Sequence, residues 1–239
     1  TAIRALRSTL RMEPLEPRLL LDGDGILQGA DLHLTLSFAP DGADVAGTSN
    51  QLAATFDALA PRSDWQDAIL RAFQTWAAET NADVGLVADS GDPFGTPGRS
   101  QRDDRFGDIR IGAVALSPEV GAVSVPVDGA VTGTWFADVV FNIDFEYQTI
   151  DDIFAVALHE AGNVFGLEDN DDPNSPLYSG AAPTGLPPTP ADLAALRDLH
   201  GQRAPDLNEF PDDDQGGGPA ENNDSIDEAT RLKLVENEE

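Results

Sequence analysis

The spacing of apolar residues changes along this chain, and that change limits the fold more than any other feature. Leu32, Leu34, Leu36 and Phe38 alternate with His33, Thr35 and Ser37, and Asp41-Gly42 follows. A repeat of two marks a strand with one buried face, and Asp-Gly ends it in a turn. Further on, Ile69, Leu70, Phe73 and Trp76 recur at helical spacing. Ser63 stands three residues ahead of Gln66 as in a capping box, so an amphipathic helix is expected over residues 64–79. Strands are expected at 83–87, 108–116 and 135–141. Thr149, followed by Asp151 and Asp152 in a first turn where the helix dipole favours acids, predicts a helix over 150–165. Pro190-Ala191-Asp192 opens a last helix through Leu193, Leu196 and Leu199, which Gly201 ends. Residues 89–105 and 171–188, rich in Gly, Pro and Asp, read as long loops.

These signals occupy residues 31–203. Residues 1–30 read as a leader, with Arg4, Arg7 and Arg11 near its start but no apolar run of a signal peptide after them. Residues 204–239 carry Asp212-Asp213-Asp214 and Gly216-Gly217-Gly218. Such a segment has too little apolar surface to order itself and reads as an acidic linker or the start of a further domain.

The formal net charge of −29 disfavours nucleic acid and anionic membranes as partners. The chain has no cysteine, which removes disulfides, thiolate metal sites and cysteine nucleophiles. A zinc site would have to use histidine, carboxylate or a weak oxygen donor. No apolar run reaches the length of a membrane span. The abundant carboxylates are solvated surface or ligands for a hard cation such as calcium (Ca2+).

Chemistry concentrates in His159-Glu160-Ala161-Gly162-Asn163-Val164-Phe165-Gly166-Leu167-Glu168-Asp169. On a helix, residues 159 and 163 lie one turn apart and project toward one point. Glu160, beside them, is placed to take a proton from a metal-activated water. Gly166 lets the chain leave the helix sharply and swing Asp169 back toward the same point. A His-Glu pair alone is a weak signal, since a helical histidine on an apolar face is more often a hydrogen-bonded core residue.

The segment resembles the metzincin motif H-E-x-x-H-x-x-G-x-x-H, matching it at His159, Glu160 and Gly166. Several other stretches resemble the matrixin branch of that family, in family order. They are Leu34 to Gly42 (first strand), Ala72-Phe73-Gln74-Thr75-Trp76 (first helix) and Gly107-Asp108-Ile109-Arg110-Ile111 (central strand). Ala137-Asp138-Val139-Val140-Phe141-Asn142 follows as the edge strand over the cleft, and 191–201 as the closing helix. The resemblance covers about residues 31–202. It implies an α+β, metzincin-like fold: a twisted five-stranded mixed sheet, mostly parallel with one antiparallel edge strand, and three main helices. It also implies an extracellular zinc metalloendopeptidase acting on a protein or peptide substrate. Glu160 would be the catalytic base, and His159, Asn163 and Asp169 would surround the catalytic zinc (Zn2+).

The chain departs from the pattern at Asn163, where the family has its second histidine, and at Leu177, where Asp171 to Tyr178 resembles the Met-turn without its methionine. An amide oxygen suits zinc poorly, whereas Asp169 is an accepted zinc donor. A pseudopeptidase, with the zinc site lost or weak and the domain serving as a surface binding module, is the alternative. A third reading is an acidic, calcium-dependent surface domain unrelated to peptidases. The loop before the central strand has no histidine for the family's structural zinc; Asp89, Asp92, Asp103 and Asp104 there are candidate calcium ligands or solvated acids. His33 and His200 read as surface or packing residues. Leu15-Glu16-Pro17-Arg18-Leu19-Leu20-Leu21 resembles the LEPR-XLL segment of exported bacterial surface proteins, which implies a secreted or cell-surface location. Residues 221–232 resemble the opening strand of bacterial pre-peptidase C-terminal domains, which implies a monomeric domain within a larger chain.

Overall fold

The computed structural model describes residues 32–98, 103–125, 138–180 and 185–204. The LEPR-XLL-like leader and the segment beyond 204 lie outside the described residues. A five-stranded sheet runs in the order β4-β1-β5-β7-β6. Its strands are β1 (Leu32–Phe38), β4 (Ala82–Leu86), β5 (Ile109–Val114), β6 (Ala122–Val125) and β7 (Asp138–Asn142). β1 pairs in parallel with β4 and β5, and β5 with β7; β6 alone runs antiparallel, Ser124 opposite Val139. A two-stranded ribbon, β2 (Asp44–Val45) and β3 (Thr48–Ser49), and a short helix α1 (Leu52–Phe56) follow β1. The three main helices are α2 (Arg62–Ala77), α3 (Ile150–Val164) and α4 (Pro190–His200). The fold is therefore α+β, with a mostly parallel five-stranded sheet.

The alternation in β1 works as the period predicts. Leu34 and Leu36 are buried against the helices, with Ile109, Ile111, Val139 and Phe141 of the neighbouring strands. α2 buries Trp65, Ile69, Phe73 and Trp76, and α3 buries Ile153, Ala157, Leu158 and Ala161. The two helices pack side by side on one sheet face, and the Trp76 indole donates to the Leu158 carbonyl at 2.8 Å. At ~25 cal/mol per Å2 of apolar area removed from water, such large side chains dominate the stability of the domain.

The other sheet face is covered as well, which is why β5 is buried along its whole length. Arg110 lies there with no exposed surface, its guanidinium bonded to both oxygens of Asp89 at 2.9 Å. It also donates to the carbonyls of Asp92 and Pro93, and the rings of Phe94 and Phe106 sandwich it at 4.4 and 4.5 Å. A buried guanidinium is tolerable only when paired and hydrogen-bonded to this extent. The loop between β4 and β5 is thus pinned to the sheet by one arginine.

Three expectations need correction. Residues 138–142 are not the edge strand. β7 is buried throughout and sits between β5 and β6, because Val139 and Phe141 complete the core; the antiparallel edge is β6. Ser63 does not cap α2. Pro61, with φ −52°, is the N-cap, and its carbonyl accepts from Asp64 and Trp65, which puts Ser63 inside the first turn bonded to Asp64. Proline suits a helix entrance because its lost N–H is unneeded there. Helix α2 also ends at Ala77, two residues earlier than its period suggests. α3 behaves as read: Asp152 Oδ2 accepts from the Thr149 N–H at 2.8 Å, closing its first turn.

Candidate functional site

α3 ends in a Schellman turn that aims the site. The Gly166 N–H bonds to the Asn163 carbonyl at 2.9 Å, and the Leu167 N–H to the Gly162 carbonyl at 3.0 Å. Gly166 has φ +86°, a left-handed conformation costly for any residue with a Cβ. The chain then doubles back. Asn170 pairs with Tyr178, its N–H bonded to the Leu177 carbonyl at 2.8 Å. Leu177 is buried beneath α3 and meets Gly162, where a Cβ would lie 2.5 Å from Leu177 Cδ2.

This bend brings together the three side chains expected at one point. His159 Nε2 lies 3.1 Å from Asp169 Oδ1, and Asn163 Nδ2 donates to the same oxygen at 3.3 Å. His159 Nδ1 faces the Pro176 carbonyl at 2.9 Å. A carbonyl only accepts, so Nδ1 carries a proton and donates. In the neutral ring that leaves the Nε2 lone pair facing a carboxylate oxygen, a contact that is favourable only with a proton or a cation between them.

Glu160 lies beside this point and is 6% exposed. The Ser124 hydroxyl on β6 donates to its Oε2. Burial pushes the Glu160 carboxyl above the usual carboxylate range, and the nearby Asp169 adds to this. The Ser124 hydrogen bond and His159 act in the opposite direction. A base with raised affinity for protons, held next to an imidazole and a carboxylate, is suited to proton transfer.

The fit to a divalent cation is partial: two strong donors, His159 and Asp169, lie close enough to share one. Two ligands about 2.0–2.2 Å from a tetrahedral zinc lie about 3.4 Å apart; the two contacts to Asp169 Oδ1 are 3.1 and 3.3 Å. Asn163 Oδ1 is buried and has no hydrogen-bond partner among the described residues. The reversed amide would aim this oxygen at the shared point, where three facing acceptors need a proton or a cation among them, but would turn the amide NH2 into the buried position. Among the described residues no group of three or more His, Cys, Asp or Glu side chains is placed to hold a metal. The strong donors at the site are two, His159 and Asp169.

The loop acids are placed differently. Asp89 is committed to Arg110 and Ser37, Asp103 to Arg105, and Asp92 accepts from Ser90. His200 is buried, with Nε2 2.7 Å from the Phe165 carbonyl, and His33 is exposed beside Asp83. Sequence reading missed Ser124, whose signal was the alternating Ala122-Val123-Ser124-Val125, and Pro176, whose contribution is a backbone oxygen with no side-chain signature. It also missed the Asp192 carboxylate, which is buried and accepts from Ser175, Asn170 and Thr189 and so ties the turn loop to the start of α4. No helix among the described residues is long and apolar enough to cross a membrane. No protein-family model matches the chain, and no curated protein matches it at a significant level.

Proposed function

We propose that residues 31–203 form a matrixin-type zinc metalloendopeptidase domain in which His159 and Asp169 hold the metal and Glu160 is the base. The observation that carries this reading is the 3.1 Å approach of His159 Nε2 to Asp169 Oδ1 across the Gly166 bend, beside the buried Glu160. Bound there, zinc would supply Lewis acidity toward a water and a peptide carbonyl. The Pro176 carbonyl fixes the tautomer of His159, so that Nε2 and not Nδ1 faces the site. Glu160 takes a proton from the attacking water and returns it to the leaving amine. Ser124 fixes the carboxylate of Glu160 from the edge strand. The LEPR-XLL resemblance supports a secreted bacterial location in the same reading. The test is casein cleavage by the zinc-loaded chain compared with Glu160→Ala; equal activity in both, or none in either, refutes it.

The pseudopeptidase reading has its own support. Asn163 presents a donor, not an acceptor, to Asp169, and an amide is a poor zinc ligand. In this reading the domain keeps the cleft as a binding surface. Asn163→His separates the two: proteolysis that arises only in the variant marks a decayed enzyme, and cleavage by the native chain rules the decayed state out.

A further inference from the structure

A second concave feature lies on the far side of Asp169. A cavity of about 800 Å3 opens between the segment after α3 and the exposed face of α4. Its floor is apolar: Leu167 and Leu177 are buried, and Leu199 closes it from α4. Its rim carries Glu168, Asp172 and Asp198 in addition to Asp169. None of the lining residues is Lys, Arg or His. Among the described residues no cation pairs with Glu168, Asp172 or Asp198; Arg197, the neighbouring base on α4, is turned to Glu79.

An apolar floor under an unneutralised acidic rim matches one class of occupant. Lysine and arginine bury an aliphatic stem and keep a cationic head at the surface. The volume falls in the range of ligand sites, far larger than a single ion needs. A single metal ion would leave the apolar floor of Leu167, Leu177 and Leu199 uncovered. Asp169 lines this cavity and also faces His159, so a side chain seated here belongs to a residue bound close to His159.

We propose that this cavity is a subsite for a lysine or arginine side chain of a polypeptide bound in the cleft. The assignment rests on the reading of the cleft as polypeptide-binding, but not on cleavage. The experiment is fluorescence anisotropy with the full chain carrying Glu160→Gln, at about 150 mM salt to screen diffuse attraction. The probes are a labelled hexapeptide with one central arginine and the same peptide with norleucine. The arginine peptide binds at least about fivefold more tightly. Glu168→Gln with Asp198→Asn removes that preference, whereas Glu119→Gln with Asp144→Asn, both exposed and outside the cavity, keeps it. Equal affinity for the two peptides overturns the assignment, as does the same loss in the control pair or displacement of the arginine peptide by millimolar calcium. A native chain that cleaves casein but shows no arginine preference refutes the subsite alone. A chain that neither cleaves nor binds either peptide refutes both readings.

Discussion

Gly162→Ala tests how tightly α3 is seated on the turn beneath the site. The added Cβ would lie 2.5 Å from Leu177 Cδ2 and 3.1 Å from Trp76 Cζ2, where ordinary carbon contacts are about 3.5–4.0 Å. Trp76 has no room to give: it is fully buried and its indole is bonded to the Leu158 carbonyl at 2.8 Å. The Leu177 side chain must therefore move by about 1 Å, next to the Pro176 carbonyl that orients His159. Overpacking costs about 1–3 kcal/mol, and the higher helix propensity of alanine returns about 1 kcal/mol. The net expectation is about 0–2 kcal/mol of lost stability, read from urea unfolding by tryptophan fluorescence. Leu177→Ala alone opens a cavity and costs about 2–5 kcal/mol. Combined with Gly162→Ala it costs less than the sum by about 1 kcal/mol or more, because each change relieves the other. A Gly162→Ala chain more stable than the parent, or strictly additive costs in the double variant, would refute the close approach.

Other consequences follow from the same contacts. Arg110→Ala leaves the Asp89 carboxylate buried without its partner and should cost about 3–5 kcal/mol by urea unfolding, with Arg110→Met joined to Asp89→Leu recovering most of it. Glu160→Gln should change the pH dependence of stability. Burial raises the Glu160 carboxyl, so the unfolded chain loses its proton first as pH rises, and the parent then loses stability until the folded carboxyl also ionises. The variant should match the parent at about pH 3 and exceed it at about pH 7, and an unchanged difference between the two would contradict the burial argument. Asn163→His adds an imidazole one helical turn from His159 and should tighten zinc binding by at least tenfold in calorimetric titration. Unchanged affinity would mean that position 163 does not face the metal.

The elements with a strong local period were legible from the residues: β1 by its alternating leucines, α2 by Trp76 and its partners, α3 by Thr149 and the acids after it. The Gly166 bend was legible too, because a glycine at the end of an amphipathic helix has few other uses. What escaped was decided by distant partners. Whether 135–141 was an edge or an interior strand depended on Ala122–Val125 pairing outside it, and four residues without charge or turn signals give little local evidence. Nothing beside Arg110 in the chain marks it as buried; Asp89, Phe94 and Phe106 close over it from a loop 4–21 positions away. The turn at Ser63 mimicked a cap that Pro61 already supplied. Ser124 and the Pro176 carbonyl act on Glu160 and His159 across the fold, so nothing next to those residues in the chain announces them.

In the proposed site His159 and Asp169 share a cation beside Glu160. Anomalous diffraction at the zinc absorption edge, on crystals grown with zinc, addresses it directly. The expected result is a single strong peak in the cleft about 2.0–2.2 Å from both His159 Nε2 and Asp169 Oδ1, absent in His159→Ala crystals. No peak there, or one bound only by surface acids elsewhere, would contradict it.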